Sequence, residues 1–259
     1  FKACTHKTFV SIGCSAGDLE RAEALRDAGA DLFCIDVAHA HARYVGKTLQ
    51  KVRAMLGKEA CIMAGNVATY AGADYLASLS ADIIKVGIGG GAVCTTRIKT
   101  GFGVPNLTAI RNSARVDRSI VADGGIRFPG DIVKALAFGA DFVMIGSMLA
   151  GTRPTPGVVM TRKNERGEDV RVKAYRGMAS SEVQDDYHGG MAEWKTAEGV
   201  AVDVPYCETE EQIVADIIGG LRSGLTYGGA ATIRELQRKL DYIRITPAGR
   251  HESLPHRTL

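Results

Sequence analysis

Strict alternation of short apolar runs with amphipathic stretches is the feature that most constrains this chain. The apolar runs are continuous, which is typical of strands that are buried on both faces. The stretches between them carry apolar residues at three- and four-residue spacing, as helices do. This alternation predicts parallel strands joined by helical crossovers. The predicted strands are Phe9–Gly13, Leu32–Val37, Ala60–Ala64, Asp82–Gly87, Ser119–Ala122 and Phe142–Gly146, and the predicted helices are Asp18–Ala28, Tyr44–Leu56, Ala71–Ser78, Asn106–Ala114 and Pro129–Phe138.

Two α/β architectures fit this pattern, an open doubly wound sheet and a (β/α)8 TIM barrel. The near-regular spacing of the strands favours the barrel. Only six βα units are visible, so we expect the first two units to lie outside this chain, before Phe1. We predict a single catalytic domain over residues 1–259.

The pattern changes after the sixth predicted strand. Gly157–Arg162 and Asp169–Ala174 predict a β-hairpin around a polar turn. The polar stretch that follows shows little periodicity, and we predict a flap over the barrel mouth, with hairpin and flap at about residues 157–206. Beyond the flap, the pattern predicts helices over Glu210–Leu225 and Ala230–Leu240 and a short closing strand over Tyr242–Thr246.

The composition argues against several classes of protein. The chain is 46% hydrophobic and 24% charged, as ordinary globular proteins are, with a net charge of +3. It has no cluster of Lys and Arg typical of a nucleic-acid groove, no apolar run of membrane length and no signal peptide. Six scattered cysteines without a CxxC pair fit a reducing compartment. We therefore expect a cytoplasmic protein without a nucleic-acid or membrane partner.

Cys94 lies in the segment GIGGGAVCTTRIKTGFG, which directly follows a predicted strand. Glycines let the backbone approach a flat ligand closely, so a thiol in such a loop is a candidate nucleophile. Arg97 is close enough in sequence to lower the pKa of that thiol, although a solvated surface charge is an equal alternative.

Catalytic residues of a barrel lie on the loops at the carboxyl ends of its strands. The last two such loops are rich in glycine, which favours a phosphate site, and simple tight turns are the alternative. The rule groups Asp36 and His39, Gly65 and Asn66, the Cys94 loop, Asp123–Gly125, and Gly146 with Ser147.

Two weaker signals remain open. His39 and His41 form an HxH at a strand end, a spacing that can hold a metal ion in a hydrolase. The other barrel loops add no histidine, so a solvated turn or a cofactor contact is the simpler interpretation. Glu198, in the flap, could act as a general acid or be an ordinary surface glutamate.

Several motifs together resemble one known family. They are ADIIKVGIGGGAVCTTRIKTGFG, IMAGNV, ADGGIR, FVMIGSM, YRGMASS and GGLRSGLTYGGA. In this order, over nearly the whole chain, they are similar to the IMP dehydrogenase/GMP reductase family. The resemblance implies a (β/α)8 barrel whose first two strands precede Phe1, often with a CBS-domain pair inserted before Phe9–Gly13. It also implies assembly as a homotetramer or octamer.

The resemblance implies covalent chemistry at C2 of a purine nucleotide monophosphate, GMP or IMP. Cys94 would attack C2 and form a thioimidate. Dehydrogenases form it from IMP with NAD and hydrolyse it to XMP, whereas reductases form it from GMP by loss of ammonia and reduce it with NADPH to IMP. A potassium ion would be held by the carbonyls of Gly89, Gly91 and Cys94.

The flap favours the reductase branch. Dehydrogenases resemble each other in an Arg-Tyr pair that activates water, but Tyr187 here follows Asp186. HGGMAEWKTAEG instead resembles the reductase stretch HxGGxAEYRxxEGK, in which Glu198 would work with Thr96 to supply the proton for ammonia loss. The favoured prediction is an NADPH-dependent GMP reductase. The alternative is an IMP dehydrogenase that uses NAD.

The other implied site residues follow from the same motifs. Asp123 would bind ribose hydroxyls, and Asp36 and Asn66 would face the nicotinamide. The chain departs from the reductase pattern at Ala92, Lys195 and Val200, and ADGGIR, GSM and AHAH are nearer to dehydrogenases. A metal-dependent hydrolase and a nucleotide-binding regulator without turnover remain as rivals. The phosphate would be bound by Gly125, Gly146, Ser147 and Tyr175, and the purine by Gly177 and Met178.

Overall fold

Six parallel strands form one sheet whose order follows the sequence. A doubly wound sheet reverses its strand order at a switch point, whereas sequential order carries every crossover in one direction around a barrel. The barrel prediction is confirmed in this form, as an arc whose two edge strands do not pair with each other in the part of the chain described. This computed structural model describes residues 7–193 and 196–255. The strands are β1 (Val10–Ile12), β2 (Leu32–Asp36), β3 (Cys61–Val67), β4 (Ile83–Val86), β5 (Ser119–Asp123) and β6 (Phe142–Met144).

Helices cross over between successive strands. Most start and end within one or two residues of the predicted bounds, because the predictions rest on strong apolar periodicity and on glycines that follow the helices. One short helix after Cys94 was not predicted. The crossover helices are α1 (Asp18–Asp27), α2 (Arg43–Leu56), α3 (Tyr70–Ser78), α4 (Thr96–Thr100), α5 (Asn106–Ser113) and α6 (Pro129–Ala137).

The two faces of the sheet have different surroundings. In β2, Phe33 and Ile35 are fully buried in the main core, which the helices complete. Cys34 belongs to a smaller cluster with Met63 on the opposite, inner face. Since strand side chains alternate, Asp36 shares the inner face with Cys34 at the carboxyl end of β2. Polar side chains at this end of the inner face bound the candidate site.

The predicted hairpin is part of a three-stranded antiparallel sheet. Its strands are β7 (Met160–Lys163), β8 (Asp169–Arg176) and β9 (Ala201–Pro205), and β9 comes from the end of the predicted flap. The predicted flap, whose sequence shows little periodicity, also contains α7 (Ser181–His188). Ser180 caps that helix by accepting a hydrogen bond from the amide of Val183.

The carboxyl-terminal part consists of α8 (Glu211–Tyr227), α9 (Ile233–Arg238) and α10 (Pro247–Glu252). The predicted closing strand at Tyr242–Thr246 is wrong, because this segment forms no sheet pairing. The ring of Tyr242 instead lies with its centre 4.9 Å from that of Phe138 at the end of α6, whereas Ile243 and Ile245 are exposed. Within residues 7–193 and 196–255, no helix combines the length and apolarity that a bilayer crossing requires.

Candidate active site

The backbone of the Cys94 loop pairs with the end of the flap. The amide of Thr95 donates to the carbonyl of Glu198 at 2.8 Å, and the amide of Val200 donates to the carbonyl of Val93 at 3.0 Å. The amide of Glu198 in turn donates to the carbonyl of Ala179, which lies earlier in the flap. The flap therefore holds Glu198 beside Cys94, although the two are distant in sequence.

Three side chains form a continuous hydrogen-bonded path from the thiol. Cys94 Sγ lies 3.2 Å from Thr96 Oγ1, and Thr96 Oγ1 donates to Glu198 Oε2 at 2.8 Å. All three residues are half-buried. A carboxylate that accepts from a hydroxyl beside a thiol can move a proton to or from a group bound at that thiol.

Glycines allow the Cys94 loop to pack directly on the loop after β5. Gly124 has φ of 86°, and a Cβ there would lie 3.1 Å from the amide nitrogen of Gly91. Asn106 lies between the two loops, and its Nδ2 donates to the carbonyls of Asp123 and Gly124. The nucleophile and Asp123 are thereby fixed on neighbouring backbone.

A buried lysine joins the predicted carboxylates. Lys85, on β4, is 2% exposed and lies 2.9 Å from Asp36 Oδ1 and 2.6 Å from Asp123 Oδ2. Asn66 Nδ2 donates to the same Asp123 oxygen at 2.9 Å. Burial by itself would lower the pKa of Lys85, but the charges of Asp123 and then Asp36 outweigh it, so the pKa is raised.

The predicted phosphate residues lie at the carboxyl ends of β5 and β6 and on β8. A Cβ on Gly146 would lie 3.1 Å from the hydroxyl of Tyr175, so that hydroxyl contacts the loop after β6. Burial and then the charge of Asp123 raise the pKa of Tyr175, which therefore stays a neutral hydrogen-bond donor at neutral pH. Ser147 follows Gly146 and is half-buried, while Gly125, on the adjacent loop, is exposed.

The predicted purine residues begin the flap. The amide of Gly177 donates to the carbonyl of Val200 at 3.2 Å, beside the Cys94 pairing. The side chain of Met178 is 77% exposed. An apolar side chain exposed at the edge of the site is available to contact a flat ligand. Lys195 and the side chain of Tyr187 lie outside the described residues.

Buried polar atoms on β3, in the Cys94 loop and at the start of α5 have no hydrogen-bond partner among the described residues: Asn66 Oδ1, Thr95 Oγ1 and Asn106 Oδ1. Buried polar groups are nearly always satisfied, so unsatisfied ones on these neighbouring segments indicate a ligand-binding site. In the same part of the chain, the carbonyls of Gly89 and Cys94 accept no hydrogen bond, and that of Gly91 accepts one, from the Cys94 amide. Free carbonyl oxygens of this kind suit a monovalent cation.

The metal site at His39 and His41 and the electrostatic role of Arg97 beside Cys94 receive less support from the structure. The rings of His39 and His41 stack 6.5 Å apart, and no group of three or more metal-ligating side chains occurs in the described ranges. Arg97 donates to the carbonyl of Val104 at 2.8 Å, and its stem packs against Gly89 and Gly103. Arg97 therefore closes the Cys94 loop, a role that its sequence position did not indicate.

A separate cavity of about 630 Å³ lies at the amino ends of β4 and β5, at the opposite end of the sheet from Cys94. Its lining carries as many arginines as aspartates, so its charge is balanced. Asp82 and Asp141 already accept hydrogen bonds from the amides of Ile62 and Ile120. The cavity thus offers no excess charge for a charged substrate.

Lys85 and Asn106 are site residues that the sequence analysis missed. For Lys85 a signal existed, because a lysine inside an apolar strand is buried only when it is paired. Asn106 begins a helix just after the Cys94 loop, and nothing in the sequence showed that its amide would reach the loop after β5.

A family model of the IMP dehydrogenase/GMP reductase domain matches residues 4–256. Two curated relatives are IMP dehydrogenases from Thermoplasma acidophilum, 44% identical, and Aquifex aeolicus, 43% identical. Each alignment covers 95% of this chain and 51% of the relative. The chain thus spans about half the length of these curated relatives.

Two solved structures are similar in sequence and fold. An IMP dehydrogenase from Legionella pneumophila is 68% identical, with a TM-score of 0.82, over 95% of this chain and 75% of that one. A GMP reductase from Trypanosoma brucei, solved with guanosine 5'-monophosphate, is 36% identical, with a TM-score of 0.88, over 96% of this chain and 52% of that one.

Proposed function

The chain belongs to the IMP dehydrogenase/GMP reductase family, and from this premise we propose that it carries the catalytic site of a GMP reductase. The reaction is the conversion of GMP to IMP and ammonia at the expense of NADPH. The observation that carries the proposal is the path from Cys94 through Thr96 to Glu198, with successive distances of 3.2 and 2.8 Å.

In the first step, the Cys94 sulfur bonds to purine C2 and the 2-amino group leaves. An amine leaves as ammonia only after it gains a proton, and the path through Thr96 and Glu198 ends at the thiol where that amine would lie. In the second step, C2 accepts a hydride and the carbon–sulfur bond breaks, which returns Cys94 to a thiol and yields IMP. The roles of the three residues are nucleophile, proton relay and proton donor.

The loops around Cys94 supply the binding groups. Asp123 accepts hydrogen bonds from the ribose hydroxyls, and Gly177 and Met178 hold the purine. The phosphate is bound at the ends of β5 and β6, by Gly125, Gly146, Ser147 and Tyr175. Support comes from the neutral Tyr175 hydroxyl against Gly146 and from the close packing of the Asp123 and Cys94 loops.

A nicotinamide dinucleotide, when bound, supplies the hydride. Asp36 and Asn66 would hold its nicotinamide side, and the unsatisfied Oδ1 of Asn66 fits an amide or hydroxyl donor there. The carbonyls of Gly89, Gly91 and Cys94 would hold potassium, which fixes the loop that carries the nucleophile. Assembly as a homotetramer or octamer is part of the same proposal.

The flap supports the reductase over the dehydrogenase. A dehydrogenase must activate water to hydrolyse the intermediate, and the flap tyrosine Tyr187 follows Asp186 rather than an arginine. A reductase has to keep water from the same intermediate. The absence of an Arg-Tyr pair is therefore an advantage to a reductase and a deficit to a dehydrogenase.

IMP dehydrogenase, which oxidises IMP to XMP with NAD, is the second candidate. The identity of 68% to the Legionella pneumophila IMP dehydrogenase favours it. In that reaction Glu198 would act as a base toward water, through the same contacts with Thr96.

Steady-state assays with GMP and NADPH test the proposal. The full-length protein, with potassium present, should consume NADPH only when GMP is added and should release IMP and ammonia. Cys94→Ala should lose turnover while still binding GMP, because the nucleophile alone is removed. Retained turnover in Cys94→Ala, or no NADPH consumption by the wild type, contradicts the proposal.

A further inference from the structure

Lys85 lies at the centre of the site but takes no part in the steps above. Its Nζ contacts Asp36 at 2.9 Å and Asp123 at 2.6 Å, and its side chain is 2% exposed. A buried ammonium is costly to desolvate, and the contacts of Lys85 with both carboxylates offset that cost. We propose that Lys85 is a positioning residue that aims these two carboxylates at two different ligands. This inference rests on the proposed function.

Each carboxylate has one oxygen held and one oxygen open. Asp123 Oδ2 accepts from both Lys85 and Asn66, and Asp36 Oδ1 pairs with Lys85. Among residues 7–193 and 196–255, no donor reaches Asp123 Oδ1 or Asp36 Oδ2. The side chains of Asp123 and Asp36 are 24% and 44% exposed, so neither carboxylate is closed off from a ligand. An open carboxylate oxygen is a strong acceptor for a hydroxyl group.

The ammonium of Lys85 also offsets the repulsion between the two carboxylates. Two carboxylates that approach one point inside a barrel repel each other, and a shared cation between them removes that repulsion. Without Lys85, Asp123 would keep only the Asn66 contact, and Asp36 would keep no contact among the described residues. Both side chains would then be free to rotate away from their ligands.

The position of each carboxylate identifies its ligand. Asp123 lies next to the Cys94 loop through Gly124, on the side of the purine ribose. Asp36 lies at the end of β2, three strands along the sheet from Asp123 on β5, and in the proposed function it faces the nicotinamide. Loss of Lys85 therefore weakens binding of the nucleotide and of the dinucleotide together, although Lys85 itself need touch neither.

Kinetics of Lys85→Met in the full-length protein test this inference. The KM values for GMP and for NADPH should each rise by about tenfold or more, the usual loss when a hydrogen bond to a charged group is misaligned. Alkylation of Cys94 by iodoacetamide should keep its wild-type rate. Asp36→Asn should raise the KM for NADPH alone, and adding it to Lys85→Met should restore part of the GMP affinity, because one unpaired carboxylate is removed.

Lys173→Met is the matched control for loss of a buried ammonium. Lys173 is 2% exposed, but its Nζ donates to the carbonyls of Thr152 and Thr155, away from the two carboxylates. It should lower thermal stability without raising the KM for NADPH. If Lys85→Met does not fold, Lys85→Gln, which removes the charge at similar length, takes its place.

The results separate the inference from the proposed function. A wild type that does not turn over GMP with NADPH contradicts the proposed function. If the wild type is active but its Lys85 variants keep both KM values, or raise only one of them, the role of Lys85 is overturned. The proposed function then still stands.

Discussion

At the scale of single residues, the proposed proton path joins side chains that the sequence keeps far apart. Thr96 and Glu198 are 102 residues apart yet share a hydrogen bond of 2.8 Å. Thr96 follows Cys94 closely, so its position could be predicted from the sequence. Glu198 had no signal of its own beyond the resemblance of its motif, because its place is set by backbone pairing between the flap and the Cys94 loop.

Glu198→Gln tests the direction of proton flow. The amide cannot supply the proton for ammonia, so NADPH oxidation with GMP should slow by about a hundredfold or more, the usual contribution of a general acid. Hydride transfer to an intermediate already formed needs no such proton and should change little, as rapid mixing can measure. Glu182→Gln, at an exposed position on α7 of the same flap, should behave as the wild type. Equal slowing of both steps would remove Glu198 from the relay.

At the scale of elements, the sequence predicts regular segments better than the contacts between distant segments. Barrel strands and helices are confirmed because each carries its own apolar period. The third strand of the antiparallel sheet, Ala201–Pro205, was missed because its pairing with β8 is non-local. Helix α7 had a local signal, Ser180 before it and Gly189 after it, but weak apolar periodicity hid it.

Gly124→Ala tests the close packing of the two catalytic loops. At φ of 86° any side chain is strained, and the new Cβ would lie 3.1 Å from the Gly91 amide nitrogen and 3.2 Å from the Gly90 carbonyl carbon. The Cys94 loop would move, so kcat/KM should fall by about tenfold or more, since small misplacements of reacting groups are costly.

Gly130→Ala is the control for that change. Gly130 is the second residue of α6, and a Cβ there would meet nothing within 4 Å. It should leave kcat/KM unchanged and increase helix stability slightly. Equal activity of the Gly124 and Gly130 variants would show that the loop contact is unimportant.

At the scale of the whole molecule, burial in the barrel interior makes the free energy of unfolding depend on pH. Strand order and burial follow from the sequence pattern, but the pairing of Lys85 with two carboxylates arises only when three separate strands meet. Beside that group, burial raises the pKa of the Cys34 thiol from 9.0 to about 11, with a further rise from the charge of Asp36.

Cys34 should therefore make the protein less stable in alkali. Between pH 9 and about 11 the thiol ionises in the unfolded chain but stays neutral in the folded one, so the free energy of unfolding falls as pH rises. Below pH 9 the thiol is neutral in both states and adds no pH dependence. In denaturant titrations over this range of pH, the free energy of unfolding should fall less for Cys34→Ala than for the wild type. The same slope in both proteins would contradict the assignment.

A reductase site at Cys94 must release ammonia from the nucleotide and exclude water. The most direct measurement mixes the full-length protein with IMP and oxidised nicotinamide cofactor, in potassium, and follows the reduced cofactor by its absorbance. A rapid burst should stop at about one equivalent of reduced cofactor per Cys94, with no release of XMP, because the intermediate forms but is not hydrolysed. Continuous formation of reduced cofactor together with XMP would contradict this prediction and identify the site as that of a dehydrogenase.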